Sequence, residues 1–542
     1  MSEVSDMSEV SEVSSESQWD YVIVGAGSAG CVLADRLSAD GTAQVLLIEA
    51  GTGTPETRPE VQVPILFPRL FGGDLDWDFA TAPQPGLADR TIPIPRGKAV
   101  GGSSVINAQL WTRGHRADYD GWAEAGLDGW DHDTLQPYFE RAEQRISLAG
   151  LRHPLPVTPA FTNACARLGY VPAAEVQEGY ALARATHRDG LRHSSADAYL
   201  TPARERPNLT VLADTFVRRV LFEGTRAIGV EIETGADGGA GTATVRARRE
   251  VVLSAGSVGS PHLLLLSGVG PAEELSRHGV PVVRDLPSVG RDLTDHLLVP
   301  LAFEALGFWS PGAGASAEQI EQYLRDRHGT LDSIISEALL FLRTREDLDA
   351  PDIEVVHLVL PLGEHQRTAE HGMALGVILL RPRSRGAITL RSADPHDAPV
   401  IDPRYLSDPA DDDLATLVAG VRAAQRVLKQ PDFAEWLGKP LTDGALSEDA
   451  DDIAAYVRAT GGSIHHLVST CRMGTDEQSV VDPTFAVRGL TGLRVVDASA
   501  MPSIVRAHTH APVTMLAERA ADVLLHQDAQ QDVQQEVLLP QR

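Results

Sequence analysis

Short apolar runs separated by glycine and proline recur along the chain and predict its strands and helices. Residues 21–24 (YVIV) have the length and composition of a buried strand, residues 31–37 follow a glycine turn and are predicted to be helical, and residues 45–48 form a second apolar run. A strand, a helix and a second strand in this order make a βαβ unit. The folded chain is therefore predicted to begin with a parallel sheet.

The same patterns predict further elements after this unit. Strands are expected over residues 208–231, where a Glu-Gly turn divides them, and over 250–255, 353–360, 375–380 and 493–496, with helices over 260–266, 412–428 and 512–525. Residues 52–102 are rich in proline and glycine with little periodicity, which is typical of long functional loops that wrap a ligand. The order of elements predicts an α/β protein in which a sheet-rich substrate domain interrupts a cofactor domain.

Composition and charge exclude several classes of protein. With 542 residues, 43 % of them apolar, the chain is long enough for about two to four domains with large cores. The formal charge of -28 argues against binding to nucleic acid or to an anionic membrane, although it leaves open the attraction of a cationic substrate. No apolar run approaches the roughly 20 residues that a membrane-spanning helix needs.

Cysteine usage and the N-terminal segment bear on where the protein works. Cys31, Cys165 and Cys471 are too few and too scattered for a disulfide framework or a zinc site, which fits a reducing cytoplasm. Residues 1–18 repeat a Ser-Glu-Val unit and lack the apolar segment of a secretion signal. We expect them to form a disordered acidic tail, because so polar a segment buries too little surface to offset its ordering entropy.

A glycine motif at the first junction of strand and helix predicts a dinucleotide site. Gly25 allows a tight turn, Gly27 lets the backbone approach a pyrophosphate, and Gly30 allows the helix to pack closely on the strand. Glu49, at the end of the second strand, is placed to accept hydrogen bonds from ribose hydroxyls and would repel the 2′-phosphate of NADP. The motif alone does not separate FAD from NAD.

Further stretches carry a family resemblance. They are GKAVGGSSVINAQLWTRGHRADYD (residues 97–120), GSVGSPHLLLLSGVG (256–270), and HLVSTCRMG from His466 with VVDAS (495–499) and the segment through His508. Together with the glycine motif they resemble, in order and from about residue 19 to residue 525, the signatures of the glucose-methanol-choline (GMC) oxidoreductases. The resemblance implies the GMC fold, in which a Rossmann-like FAD-binding domain is joined to a discontinuous, sheet-rich α+β substrate-binding domain.

The domain division and the cofactor follow from the same resemblance. It places the FAD-binding domain at residues 19–140, 205–295 and 462–528 and the substrate-binding domain at 141–204 and 296–461. The implied cofactor-binding residues are Gly25, Gly27, Ser28, Gly30 and Glu49 around the ADP half, Gly102, Ser103 and Asn107 along the ribityl chain and flavin, Val217 at the adenine, and Asp497 with Ala498 at the pyrophosphate or ribityl region. Ile106 stands where some members carry the histidine that attaches FAD, so non-covalent FAD is expected. A structural turn at GGSS and a helix cap at Asp497 are the alternatives for these stretches.

Two histidines match the family's reacting positions. His466 matches the general base that takes the proton of an alcohol, and His508 matches a donor that holds the substrate oxygen while hydride moves to flavin N5. For any one of the 18 histidines the alternative is a satisfied structural group.

Four neighbouring positions are also interpreted. His510 is expected to be a hydrogen-bonded neighbour of the site rather than a substrate contact, and His465 to be structural unless the register is shifted by one residue. Ser469 stands where glycine is frequent in the family and removes no reactive group, and Cys471 resembles a packing residue.

The predicted activity is FAD-dependent oxidation of a small-molecule alcohol to an aldehyde or ketone, with oxygen or another acceptor taking the electrons afterwards. Choline-like, sugar, aminosugar and aromatic alcohols all stay open, as does the choice between oxidase and dehydrogenase. A hydroxynitrile lyase, a fatty-acid photodecarboxylase and a flavin-binding protein without turnover are the alternatives. No metal, nucleic acid or membrane is expected as a partner, and the oligomeric state is not predicted.

Overall fold

A computed structural model describes residues 18–173, 178–234, 241–308, 315–361 and 371–538. Residues 1–17 of the predicted acidic tail lie outside the described residues. The last residue of that tail was assigned wrongly, because Gln18 already pairs with Arg246 as the first residue of a strand.

The strands are β1 Gln18–Val24, β2 Val45–Ile48, β3 Phe79–Ala80, β4 Pro93–Ile94, β5 Leu148–Gly150, β6 Gly179–Leu182, β7 Arg184–Arg188, β8 Leu191–Arg192, β9 Leu209–Leu212, β10 Val217–Glu223, β11 Arg226–Thr234, β12 Gly241–Leu253, β13 Val269–Gly270, β14 Arg284–Asp285, β15 Leu297–Ala305, β16 Ser336–Leu342, β17 Ile353–Leu358, β18 Gly372–Leu379, β19 Ala387–Thr389, β20 Val400–Asp402, β21 Leu437–Pro440, β22 Gly462–Ser463 and β23 Leu493–Val495.

The α-helices are α1 Ser28–Leu37, α2 Pro59–Gln62, α3 Arg116–Glu124, α4 His132–Arg145, α5 Thr158–Arg167, α6 Thr201–Ala203, α7 Gly256–Leu266, α8 Ala272–Arg277, α9 Ala317–Asp326, α10 Asp412–Leu428, α11 Ala450–Thr460 and α12 His510–Leu538.

The first large sheet is parallel at its centre and carries the glycine turn. Its strand order is β10-β11-β12-β1-β2-β9, with β23 paired to β12. The side chains of Tyr21, Val22 and Ile23 on β1 are fully buried, as expected for a central parallel strand covered on both faces. β1 pairs in parallel with β2 and β12, so the carboxyl ends of these strands meet at one edge. Ligands of open α/β sheets bind at such an edge.

The second large sheet is antiparallel along its central strands and separates two cores. Its order is β21-β15-β18-β17-β16-β6, with β22 paired to β15. Successive side chains of a strand point to opposite faces. On β17, Ile353 and Val355 join a buried cluster with Leu417 and Val421 of α10, whereas Val356 lies in a different cluster. One face of this sheet is therefore covered by helices, and the other faces the rest of the molecule.

Most predicted elements are confirmed, with shifted ends. α1 and α7 begin at Ser28 and Gly256, earlier than predicted, because small glycine and serine residues weaken the apolar periodicity in their first turns. The Glu-Gly turn between β10 and β11 is present, and residues 52–102 consist mainly of loops, short 3₁₀ turns and two-residue strands. The sequence missed β15, β16 and helices α3 and α4.

The predicted class, an α/β protein with a Rossmann-like sheet and a second sheet-rich part, is confirmed. The domain boundaries stay a prediction. Residues 462–463, with which the last predicted FAD-binding segment begins, form β22 and pair with β15 of the second sheet. Among the described residues, no helix combines the length and apolarity that crossing a bilayer requires.

Candidate active site

A cavity of about 2080 Å³ lies against the carboxyl edge of the first sheet and one face of the second. Pockets for drug-sized ligands have volumes of about 300–1,000 Å³, so this one has room for a dinucleotide and a substrate together. The predicted site residues that line it are Gly25, Gly27, Ser28, Glu49, Gly102, Ser103, Asn107, Val217, His466, Asp497, Ala498 and His508. Gly30 does not line the cavity, in keeping with its predicted role in packing.

The glycine turn leaves the start of α1 open to the cavity. Gly25 adopts a φ of +99°, and a Cβ atom there would come within 2.6 Å of the Ser254 carbonyl oxygen. A Cβ on Gly30 would lie 2.0 Å from the Gly25 carbonyl oxygen, so the helix packs on the turn only with glycine at that position. Gly27 precedes α1 without a side-chain cap, which leaves the first N–H groups of the helix available to a phosphate.

Glu49 lies at the end of β2 beside this turn. Its carboxylate accepts hydrogen bonds from the backbone N–H groups of Ala26, at 2.9 Å, and Gly51, at 3.0 Å. Burial raises the pKa of Glu49 to about 7. Each carboxylate oxygen has a further acceptor position, which suits ribose hydroxyls.

The GGSS turn touches the glycine turn backbone to backbone. Gly102 has a φ of +52°, and a Cβ atom there would come within 2.6 Å of the Cα of Gly27. This close approach requires glycine, so the alternative of a structural turn is confirmed, and the contact of this stretch with a cofactor stays a prediction. Asn107 follows the turn, and its Oδ1 accepts a hydrogen bond from Arg192 Nη1 at 2.7 Å. The amide NH₂ of Asn107 is thereby left to meet a ligand in the cavity.

Gly102→Ala is expected to lower the affinity for FAD by about tenfold or more, because the new methyl group would push the two turns apart. The matched control is Gly121→Ala, at a half-buried position of α3 where an added Cβ meets nothing within 4 Å. FAD content per chain and flavin-fluorescence titration of the apoprotein measure both variants. Equal FAD affinity in the two variants would contradict the predicted role of the GGSS turn in FAD binding.

Asp497 lines the cavity, but its carboxylate is already occupied. One oxygen accepts from Gly256 N at 2.9 Å and from the Ser260 hydroxyl, and the other from Ser499 N at 2.8 Å and from its hydroxyl. The side chain therefore caps the start of α7, which was the alternative role. We therefore expect that the backbone of Asp497, and not its carboxylate, would contact a cofactor.

His466 and His508 converge from separate segments. His466 follows β22, and Asp295 Oδ1 accepts a hydrogen bond from its backbone N at 2.8 Å. His508 precedes α12 and contacts the buried carboxylate of Glu354 on β17 through Nε2, at 3.1 Å. The two rings are perpendicular, with centroids 5.0 Å apart. A single small group can contact both.

A third histidine fixes the tautomer of His466. His296 Nε2 lies 3.1 Å from the Leu380 carbonyl oxygen, which only accepts, so Nε2 carries the hydrogen. Burial lowers the pKa of His296 to about 3, so the ring is neutral and its Nδ1 is an acceptor. His466 Nδ1 lies 2.9 Å from that atom and must donate to it. The Nε2 of neutral His466 is then left as a free base.

The surroundings of His466 keep it unprotonated. Burial, followed by the nearby His508, His296, His465 and Arg96, holds its pKa well below the ordinary value near 6.5. The base works only when it is neutral. Because its pKa is lowered, its protonation should reduce the activity only at pH values well below 6.5.

We expect the rate of anaerobic flavin reduction by an alcohol not to decline as the pH falls from 8 through 6.5, because His466 stays neutral over this range. Stopped-flow reduction at saturating alcohol between pH 5.5 and 8.5 measures it. An acidic limb with an apparent pKa of 6.5 or above would contradict the neutral, buried base.

Four further residues that the sequence analysis considered lie near this pair of histidines. His510 Nε2 is 2.9 Å from the Ser195 hydroxyl, and its ring contacts Trp111 edge-on. The ring also lines the cavity, so its role as a hydrogen-bonded neighbour stays a prediction. His465 turns its ring to Phe71 instead of His508. Ser469 takes a φ of +70°, which keeps the turn that glycine would make. Cys471 is fully buried, and burial raises the pKa of its thiol, in keeping with packing.

Family models described as GMC oxidoreductase match residues 19–298 and 382–517 of this chain. The chain belongs to the GMC oxidoreductase family.

Individual GMC relatives agree with this assignment. An uncharacterized GMC-type oxidoreductase of Mycobacterium bovis is 42% identical over 535 residues, which cover 94% of this chain and 99% of the relative. An alcohol dehydrogenase [acceptor] of Pseudomonas putida is 38% identical, covering 94% and 96%. The crystal structure of pyridoxine 4-oxidase from Mesorbium loti superimposes with a TM-score of 0.83 at 32% identity, covering 94% and 99%. The GMC fold and an FAD-dependent oxidoreductase acting on CH–OH donors are thus confirmed.

This GMC protein has site residues that the sequence did not reveal. His296 lies immediately before β15, a strand that was not predicted, and nothing in the pattern singles it out. Glu354 did leave a signal, because a carboxylate inside the buried run IEVVHL is costly unless it has a partner. Arg192, which holds Asn107, lies far from it in sequence and could not be found by pattern.

Proposed function

We propose that the protein oxidises an alcohol to an aldehyde or ketone, with His466 as general base and His508 as the donor that holds the substrate oxygen. The observation that carries this proposal is the fixed tautomer of His466. Leu380 and His296 together leave its Nε2 unprotonated, and that ring stands 5.0 Å from His508 in the wall of the cavity.

The proton and the oxygen of the substrate have separate partners. His466 Nε2 takes the hydroxyl proton of R–CH₂–OH. His508 directs its Nε2–H to the Glu354 carboxylate, so it donates to the oxygen only when Nδ1 also carries a hydrogen. The resulting imidazolium, paired with buried Glu354, stabilises the negative charge that develops on that oxygen. R–CHO leaves once the carbinol carbon has lost its hydride.

FAD supplies the acceptor of that hydride. The groups proposed to hold it are the start of α1, Glu49, the GGSS turn, the Asn107 amide and the backbone around Val217, Asp497 and Ala498. The side chain of Ile106 is buried and has no group that could form a bond to a flavin, so we propose non-covalent FAD. Oxygen or another acceptor then takes the electrons.

Product analysis tests this function against its alternatives. The protein is incubated in the dark with benzyl alcohol or 1-hexanol and a soluble electron acceptor, and the products are identified by mass spectrometry. We expect one aldehyde for each two-electron reduction of the acceptor. Cyanide release from mandelonitrile without any acceptor would instead identify a lyase, and carbon dioxide release from a fatty acid only under blue light a photodecarboxylase.

A further inference from the structure

The face of the second sheet that borders the cavity is apolar beside the histidines. Ile378 of β18 lies between Leu298 of β15 and Glu354 of β17 in the strand register. Glu354 holds His508, so Leu298 and Ile378 adjoin the reacting pair. Val356 and Leu358 continue the face of β17 that begins at Glu354, and all four aliphatic side chains line the cavity.

A loop completes this wall. Residues 64–70 form a 3₁₀ turn from which Ile65 and Phe67 reach the cavity, and Phe71 follows. Ile65 and Phe67 belong to the same buried cluster as Leu298 and Val356, and Phe71 packs against it. The rings of Phe67 and Phe71 meet edge-on, with centroids 5.9 Å apart. The loop and sheet side chains that flank this space are therefore mainly hydrocarbon, with Arg69 and Ser336 as polar members of the cavity wall.

Charges in this region do not provide a partner for a cation. Among the described residues, no acidic side chain of the second sheet lines the cavity. The carboxylates of Asp295 and Asp76 each accept several hydrogen bonds from protein donors. Arg96, which donates to the His465 carbonyl at 2.7 Å, places a positive charge in the cavity wall.

Resting on the proposed function, we infer that the substrate is an uncharged alcohol with an apolar aliphatic or aromatic body. The hydroxyl end meets His466 and His508, and the body lies between the loop and the aliphatic face of the sheet. A sugar would place several hydroxyl groups against that mainly aliphatic face. Choline would bury its charge where the adjoining carboxylate, Glu354, is already paired with His508. Both of these alcohol classes are therefore expected to react more slowly than an apolar alcohol.

A pair of isosteric alcohols tests the inference on the intact FAD-bound protein. 3,3-Dimethylbutan-1-ol has the shape of choline with carbon in place of the charged nitrogen. We expect its kcat/KM for anaerobic flavin reduction to exceed that of choline by about 100-fold or more, since burial of an unpaired charge is costly. We also expect kcat/KM to rise about fourfold for each methylene from 1-propanol to 1-hexanol.

A matched pair of variants locates the effect on the wall. Val356→Thr keeps the side-chain shape and adds a hydroxyl on the cavity face, so it should reduce the preference for 1-hexanol over 1-propanol several-fold. Val355→Thr makes the same change on the opposite face of the strand and should leave this ratio unaltered.

The possible results distinguish a wrong substrate class from a wrong proposed function. If choline reduces the flavin as well as its neutral isostere does, through a cation–π contact with Phe67 and Phe71, the inferred substrate class is overturned while alcohol oxidation stands. An equal change of the hexanol ratio in both threonine variants would also overturn it. If no alcohol of the set reduces the flavin, the proposed function itself fails.

Discussion

His466→Ala is expected to slow anaerobic flavin reduction by an alcohol by about 100- to 10,000-fold while FAD stays bound, because the variant has no base for the hydroxyl proton. Stopped-flow absorbance under nitrogen measures the rate, and the flavin-to-protein ratio verifies that the cofactor is retained. Added imidazole should restore part of the rate through the space that the side chain leaves.

His465→Ala is the matched control for this variant. It removes an adjacent imidazole whose ring faces Phe71 instead of His508. Its rate should stay within about tenfold of the parent, below the range that loss of a general base causes. Near-normal reduction by His466→Ala, or an equal loss in both variants, would contradict the assignment of the base.

His296→Leu is expected to slow flavin reduction by about 10- to 100-fold, the range typical when a residue that orients a functional histidine is lost. Leucine has nearly the shape of asparagine but no acceptor, so His466 Nδ1 loses the contact that measures 2.9 Å in the parent. His466 can then hold its proton on either nitrogen. Stopped-flow reduction at saturating alcohol isolates this effect from substrate binding.

His296→Asn separates positioning from packing. Its amide oxygen can accept the hydrogen of His466 Nδ1, so this variant should recover most of the rate that His296→Leu loses. A shared loss of stability without this difference in rate would mean that His296 only fills space. If the Leu and Asn variants both reacted at nearly the parent rate, His296 would not be needed to fix the tautomer of His466.

Local patterns were sufficient to predict the βαβ unit at the centre of the first sheet. Gly25 adopts the positive φ of the predicted turn, and Gly30 packs against the Gly25 carbonyl as predicted. The role of Gly27 at a pyrophosphate stays a prediction. β15 was missed because Pro300 interrupts its apolar run, and proline usually argues against a central strand. The first half of β12 was missed because its arginines mask the alternation.

The family resemblance was the source of the predicted roles of His466 and His508, and it did not indicate the residues that position them. The meeting of His466 with His508 depends on how β22 pairs with β15 and on where α12 begins, which no local spacing encodes. His296 and Glu354 act through those tertiary contacts and were not found. For Asp497, the choice between helix cap and ligand contact depended on Gly256 and Ser260, which reach its carboxylate only in the fold.

The visible absorption spectrum of the purified protein under nitrogen, before and after addition of an apolar primary alcohol, tests alcohol oxidation most directly. The proposal predicts oxidised-flavin bands that bleach on addition of the alcohol and return when oxygen or another electron acceptor is admitted. Flavin bands that persist unchanged with every aliphatic and aromatic alcohol would contradict it.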